Sequence, residues 1–323
     1  MKKYYIYVIL LSLVCVLGAI YDIIIVHFKV FPYNIIKTAY LKNHNNNLWS
    51  IGIYEGADLF SLDSKKDISN PVLTANDVID RDAAFVADPF MVFNDGRYFM
   101  FFEVLNRETN EGDIAYAESA DGKKWNYRKV VIDEEFHLSY PYIFEWENRY
   151  YMIPESNEDL SVRLYKAIEF PEKWKYIGNL LSGYRFVDPS IFRYKNKWWM
   201  FVSNTESNVL NLYFSENLTK GWQPHPKNPI VKFNKHFSRP GGRVILYDGK
   251  PLRLTQDDDP IYGIQVFAFE ITKLSETSYA DKLVSDKPLV TKTGTGWNAA
   301  GMHHLDPHKI GDKWLSAVDG QRK

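Results

Sequence analysis

The sequence predicts an all-β fold: a five-bladed β-propeller whose N-terminal strands complete the last blade, preceded by one N-terminal transmembrane helix. Three observations predict the propeller. A strand–turn–strand unit recurs five times at a period near 50 residues, the signature of a ring of blades. From Trp49 onward the segments are short, aromatic and β-branched, and they are punctuated by Asp-Gly, Asn-Asp and Pro, which reads as strands and turns. The fifth unit has only an inner hairpin before Lys323, while two spare strand-like segments stand at the other end, Trp49 to Glu55 and Asn70 to Leu73. Pairing those with the fifth hairpin hides two open sheet edges.

In chain order, residues 1–26 come first. Lys2 and Lys3 precede an uncharged run of 18 residues, Tyr4 to Tyr21. As a helix this run covers about 27 Å, enough for a bilayer core. The basic residues before it orient the chain with its N-terminus inside and the remainder outside the cytoplasm. A cleaved signal ending near Val16-Leu17-Gly18 is the alternative, and it gives the same side. Residues 27–47 form a juxtamembrane linker that ends in the polar run Asn43-His44-Asn45-Asn46-Asn47. Residues 48–323 are the propeller.

The first hairpin runs from Asp88-Pro89 through the turn at Asp95-Gly96 to Glu103. A shift of 52 gives Tyr140-Pro141 to Glu155, and a shift of 100 gives Asp188-Pro189 to Ser203. Shifts of 153 and 216 align the turns Asp248-Gly249 and Gly311-Asp312. Outer strands follow at Asp113 to Glu118 and Tyr127 to Ile132, Val162 to Ala167 and Trp174 to Ile177, Leu210 to Phe214, and Ile264 to Ile271.

With 39 basic and 40 acidic residues the chain is close to neutral, which supplies no long-range field for nucleic acid or an anionic bilayer surface. Cys15 is the only cysteine, so no internal disulfide or cysteine-based zinc site is possible. Aromatic residues make up 16%, enough both to pack between blades and to stack on sugar rings.

A uniform hairpin register pairs Asp88 with Glu103, Tyr140 with Glu155, Asp188 with Ser203, Gly241 with Gln256, and His304 with Asp319. Polar residues at one end of every inner hairpin face either water or a ligand, or they cap the strand starts. Carboxyl groups sharing a partly desolvated funnel split their pKa values, the condition for acid–base work on a glycosidic bond. Asp88, Glu155 and Asp188 are the catalytic candidates. Glu103, His137, Tyr140, Arg239, Gln256, His303, His304 and Asp319 are the substrate-binding candidates. Arg239 and Arg243 can grip an anionic group with a bidentate fork, or Arg243 can pair with another blade. Gln256-Asp257-Asp258-Asp259 contains a short Asp-x-Asp string of a metal-holding kind, but no metal or other cofactor is assigned.

Phe85-Val86-Ala87-Asp88-Pro89-Phe90, Phe136-His137-Leu138-Ser139-Tyr140-Pro141-Tyr142, Pro154-Glu155-Ser156, Asp188-Pro189-Ser190-Ile191-Phe192 and Ser238-Arg239-Pro240-Gly241-Gly242-Arg243 together resemble one family. It comprises bacterial envelope-associated proteins similar to the N-terminal domain of plant glucosamine inositolphosphorylceramide transferase. The resemblance covers about Trp49 to Gly320. More distantly the chain resembles arabinanase, β-xylosidase and invertase-type propellers, which implies five blades and a sugar in the axial pocket. It implies Asp88 as the first-blade base, whereas Tyr140 stands where a second-blade carboxylate is usual and Asp188 where a Glu acid is usual. The resemblance implies that the plant protein's transferase activity resides in a separate downstream domain, so that activity is not expected to carry over. The expectation is therefore a membrane-anchored, extracytoplasmic protein, glycoside hydrolase-like, acting on an envelope glycan or glycoconjugate. The alternative is a non-catalytic glycan-binding module for polysaccharide or glycolipid synthesis, and a third reading is a scaffold for a partner protein.

Overall fold

A computed structural model describes residues 49–204 and 208–323. The anchor at 1–26 and the linker at 27–47 lie outside the described residues. Among those described, no helix is long and apolar enough to cross a membrane.

Five antiparallel sheets make five blades. The first strand, β1 (Trp49–Gly56), belongs to the last blade. Blade one is β2 (Ala83–Asn94), β3 (Arg97–Asn106), β4 (Gly112–Ser119) and β5 (Asn126–Ile132). Blade two is β6 (Ser139–Trp146), β7 (Arg149–Ser156), β8 (Ser161–Glu169) and β9 (Lys173–Ser182). Blade three is β10 (Val187–Tyr194), β11 (Lys197–Asn204), β12 (Val209–Ser215) and the short β13 (Gln223–Pro224). In blade four the inner strand is broken into β14 (Arg239–Pro240) and β15 (Ile245–Tyr247), followed by β16 (Lys250–Asp257), β17 (Gln265–Ser275), β18 (Ser278–Leu283) and β19 (Val290–Thr291). Blade five joins β20 (Leu305–Ile310) and β21 (Lys313–Gln321) to β1.

The predicted closure is therefore present. Trp49 pairs with Gln321 and Gly56 with Trp314, and Ile51 bridges to Leu73 beyond them. Trp297 lies across the seam. A Cβ at either Gly52 or Gly320 would fall 2.4 Å from its ring, so both glycines are required by close approach. Between blades the core is a set of apolar wedges. Ile51 and Ile53 pack with Met91, Met100 and Phe102, while Tyr140, Tyr142 and Met152 fill the wedge around blade two.

The hairpin register departs from the uniform one. Glu103 faces Ala87 rather than Asp88, Glu155 faces Ser139 rather than Tyr140, and Ser203 faces Val187 rather than Asp188, with a β-bulge after each. In blade four Gln256 faces Arg239 rather than Gly241. Only blade five keeps the expected register, in which Leu305 faces Val318 and His304 therefore comes opposite Asp319. The cause is local. Pro89, Pro141 and Pro189 lack an N–H and interrupt the ladder, and the residue before each takes up the extra length in a left-handed conformation. Asp88, Tyr140 and Asp188 have φ of 53°, 47° and 50°. Aspartate tolerates that region, whereas a tyrosine there is strained by about 1–3 kcal/mol.

Because β1 closes the ring, its buried face should control global stability. Ile53 is fully buried, and Ile53→Ala is expected to lower unfolding free energy by about 2–5 kcal/mol. Urea titration checks this, and a loss below 1 kcal/mol by that measure would mean that the seam is not part of the cooperative unit.

Candidate functional site

The left-handed bulges turn three backbone N–H groups along the ring instead of into their own sheets, and each meets a carboxylate from the preceding blade. Asp88 N donates to Asp319 Oδ2 at 3.2 Å, Tyr140 N to Asp88 Oδ2 at 3.3 Å, and Asp188 N to Glu155 Oε2 at 3.0 Å. Deeper on the axis, Met91 N donates to Asp306 Oδ2 at 2.6 Å. The carboxylates thus hold the blades to one another.

Cations balance them. His303 stands between two carboxylates, with Nε2 3.2 Å from Asp88 Oδ1 and Nδ1 3.0 Å from Asp319 Oδ2. Burial alone would make this ring neutral, but Asp319 and Asp88 raise its pKa well above the ordinary value. Burial would in turn raise Asp88, and His303 lowers it instead to about 2. Asp188 accepts from Arg239 Nε at 2.5 Å and from Gln256 Nε2 at 3.1 Å. His137 Nε2 lies 3.3 Å from Glu103 Oε1. Against the effect of burial, Glu103 raises this imidazole to about 9. Glu155 has a different environment: burial first, then the neighbouring Asp188, push its carboxyl up to about 8. Asn157 Nδ2 donates to its other oxygen. Asp88 is therefore ionised while Glu155 retains its proton through neutrality.

Several predicted residues lie inside the wall rather than on its surface. Tyr140 is fully buried. Its hydroxyl contacts Ser190 Oγ at 2.9 Å, donates to Gly242 O at 3.0 Å and accepts from Gly242 N at 2.7 Å, so it ties blade two to blades three and four. His304 is also fully buried, packed edge-on against Phe90 at 4.5 Å. Burial lowers its pKa, and neither ring nitrogen has a hydrogen-bond partner among the described residues. Asp319 is enclosed and accepts from the N–H groups of His303 and His304. Arg243 takes the interblade alternative, donating to Asp306 Oδ1 at 2.6 Å, Ile143 O at 2.9 Å and Met91 O at 3.2 Å. A cavity of about 250 Å³ opens at the hairpin-tip end beside Arg243, Trp146 and Trp198. Arg243 lines this cavity and reaches from it to Asp306.

The accessible edge of the cluster is formed by His137 and Arg239, both partly open, with Tyr262 and Asp258. Tyr262 is 40% exposed, lies 5.0 Å from the Arg239 guanidinium and 5.1 Å from the His303 ring, and stands near Trp49, itself 4.1 Å from His303. Sequence reading passed over Trp49 and Tyr262 as site residues and named Asp258 only within the Asp-x-Asp string. The usable signal was position, since Asp258 and Tyr262 occupy the loop between the second and third strands of a blade, which always returns to the Asp88 end. The Asp-x-Asp string is otherwise engaged. Asp257 pairs with His236 at 2.9 Å and Gln265 at 2.8 Å, and Asp258 accepts from Gly263 N. Asp88, His303 and Asp319 each offer a ligand atom within 4.8 Å of the others, a spacing that could hold a cation. In this arrangement the charged imidazole itself joins the two carboxylates.

The fold is a five-bladed propeller of the kind also seen in solved glycoside hydrolases. The catalytic domain of Coprinopsis cinerea GH62 α-L-arabinofuranosidase superposes with a TM-score of 0.59 at 14% identity, covering 86% of this chain and 98% of that one, a likeness of fold. Residues 41–321 match the family described as Glucosamine inositolphosphorylceramide transferase 1, N-terminal, and the chain belongs to that family. Glucosamine inositolphosphorylceramide transferase 1 of Oryza sativa subsp. japonica is 33% identical over 298 residues, covering 85% of this chain and 40% of the relative. That of Arabidopsis thaliana is 30% identical over 324 residues, covering 91% and 42%. The chain thus spans about two fifths of the length of these relatives.

The Glu155 carboxyl generates a pH dependence. Its pKa is higher in the fold than in the unfolded chain, so the fold keeps a proton that the unfolded chain releases. Stability therefore falls as pH rises from the ordinary 4.5 towards about 8. Glu155→Gln retains one acceptor oxygen for Asp188 N and is expected to flatten that part of the curve. What remains includes the declines from His137, between its ordinary 6.5 and about 9, and from His303, which also keeps its proton well above that ordinary value. Urea midpoints measured across this range check it, and parallel curves for the two proteins would refute the assignment.

Proposed function

We propose that the propeller recognises the sugar portion of a glycoconjugate at the axial mouth. The observation that carries this reading is the exposed Tyr262 ring set beside partly open Arg239 and Asp258. An aromatic face for the C–H side of a sugar, with charged groups beside it for hydroxyls, is the combination such ligands require. Asp88, Asp188 and Asp319 beneath are committed to neighbouring backbone amides or cations, which suits a rigid recognition surface. The relatives' names as glucosamine inositolphosphorylceramide transferases support a carbohydrate as the ligand class. The proposed setting is outside the cytoplasm, tethered by the uncharged run Tyr4 to Tyr21.

One observation favours a second reading, cleavage of a glycosidic bond. Asp88 is ionised and Glu155 protonated in the same cluster, as an acid and a base or nucleophile would be. Asp188 would then orient Arg239 against the substrate.

The test is retention and cleavage of a panel of envelope glycans by the full-length protein. Tyr262→Ala is expected to weaken retention about tenfold, the equivalent of one stacking contact. Glu155→Gln is expected to leave retention intact. If wild-type protein also cleaves a glycan and this variant does not, the hydrolytic reading stands. If no glycan is retained by the wild type, both readings fail.

A further inference from the structure

We propose that the mouth face of the propeller docks on a lipid bilayer through an apolar rim. Each blade's first strand runs from the carboxylate cluster to the hairpin tip. The loops joining second to third strands, and those leading to the next blade, therefore all return to the mouth. Large apolar side chains project from four such loops. Leu160, between β7 and β8, is 43% exposed; Tyr184, before β10, is 67% exposed; Phe233, before β14, is 81% exposed; and Ile261, between β16 and β17, is 57% exposed. They sit on blades two to four, side by side around the ring. Phe233 and Leu160 are also held at φ of 50° and 54°, a backbone region that bulky residues avoid.

Two further features select a bilayer as the occupant. Exposed Lys232 and Lys235 flank Phe233, and an aromatic side chain bracketed by lysine matches the headgroup–acyl boundary of an anionic membrane. The chain also enters the propeller on this face. Antiparallel pairing of β1 with β21 sets Trp49 beside Gln321, with its ring against His303. The 48 residues before it, including the uncharged run behind Lys2 and Lys3, are thus joined at the mouth, not at the hairpin tips. Separate side chains on separate loops also suit insertion into a fluid layer better than the single contiguous patch that a protein partner buries. Docking in this way is independent of what the axial cluster binds.

The experiment uses the full chain with Cys15→Ser, so that an added cysteine is unique. Phe233→Cys and, separately, Tyr184→Cys carry a polarity-sensitive fluorophore. Phe93→Cys, at a hairpin tip where the native side chain is 55% exposed, reports on the opposite face. Bilayers contain phosphatidylglycerol and phosphatidylethanolamine, with or without a spin-labelled lipid. The expected result is a blue shift and loss of emission at residues 233 and 184 and neither at residue 93. The proposal is overturned by equal responses on both faces, by a response at residue 93 alone, or by no response at any label. A rim response that appears without lipid as the protein is concentrated also overturns it, because a second copy would then be the occupant.

Discussion

The innermost strand of every blade is a sheet edge, and at the axis of a closed ring no further strand can pair with it. Its N–H groups must find acceptors in a space too confined for bulk water. Here carboxylates meet that demand. Asp319, Asp88, Glu155 and Asp306 each accept an N–H from another blade. Charged acceptors of this kind make strong hydrogen bonds, but burying them requires compensating cations, and His303, Arg239 and Arg243 supply these. The polar ring is first of all what holds the blades in register around a common axis.

That arrangement governs the chemistry available. A carboxylate tied to an amide on one side and a cation on the other is fixed as an anion, as Asp88 is. Glu155 takes the N–H of Asp188 and an amide from Asn157 but has no cation in direct contact, so it is the group that keeps its proton. The asymmetry needs no catalytic function to exist. Its position beside the open edge at Arg239 and Tyr262 is what makes it usable.

Much of the architecture was legible in the residues. The spacing of the turns gave five units, and the incomplete fifth unit correctly sent Trp49 to Glu55 to the far end of the chain. The details at the axis were not legible, for a physical reason. Hairpin arithmetic assumes one residue opposite one, and Pro89, Pro141 and Pro189 break that count by forcing a bulge. The shift moves Asp88 and Asp188 out of their sheets and towards adjacent blades, so their partners are Tyr140 N, Arg239 and Gln256 rather than the residues across the hairpin. Tyr140 looked like a substitute for a missing carboxylate, whereas its hydroxyl is used by Gly242 and Ser190. That contact joins residues about a hundred positions apart, and no local pattern encodes it.

The seam between β1 and β21 has a temporal meaning as well as a structural one. During synthesis the segment Trp49–Gly56 is made first and its partner Lys313–Gln321 last, so the earliest strand must wait for the entire ring before it can pair. Throughout that interval it is a short, apolar, uncommitted edge of the sort that captures strands from other chains. Long-range pairing of this order is also slow to form. Ring closure consequently waits for the strands of the fifth blade, and until they are made the nascent propeller depends on whatever shields its first strand.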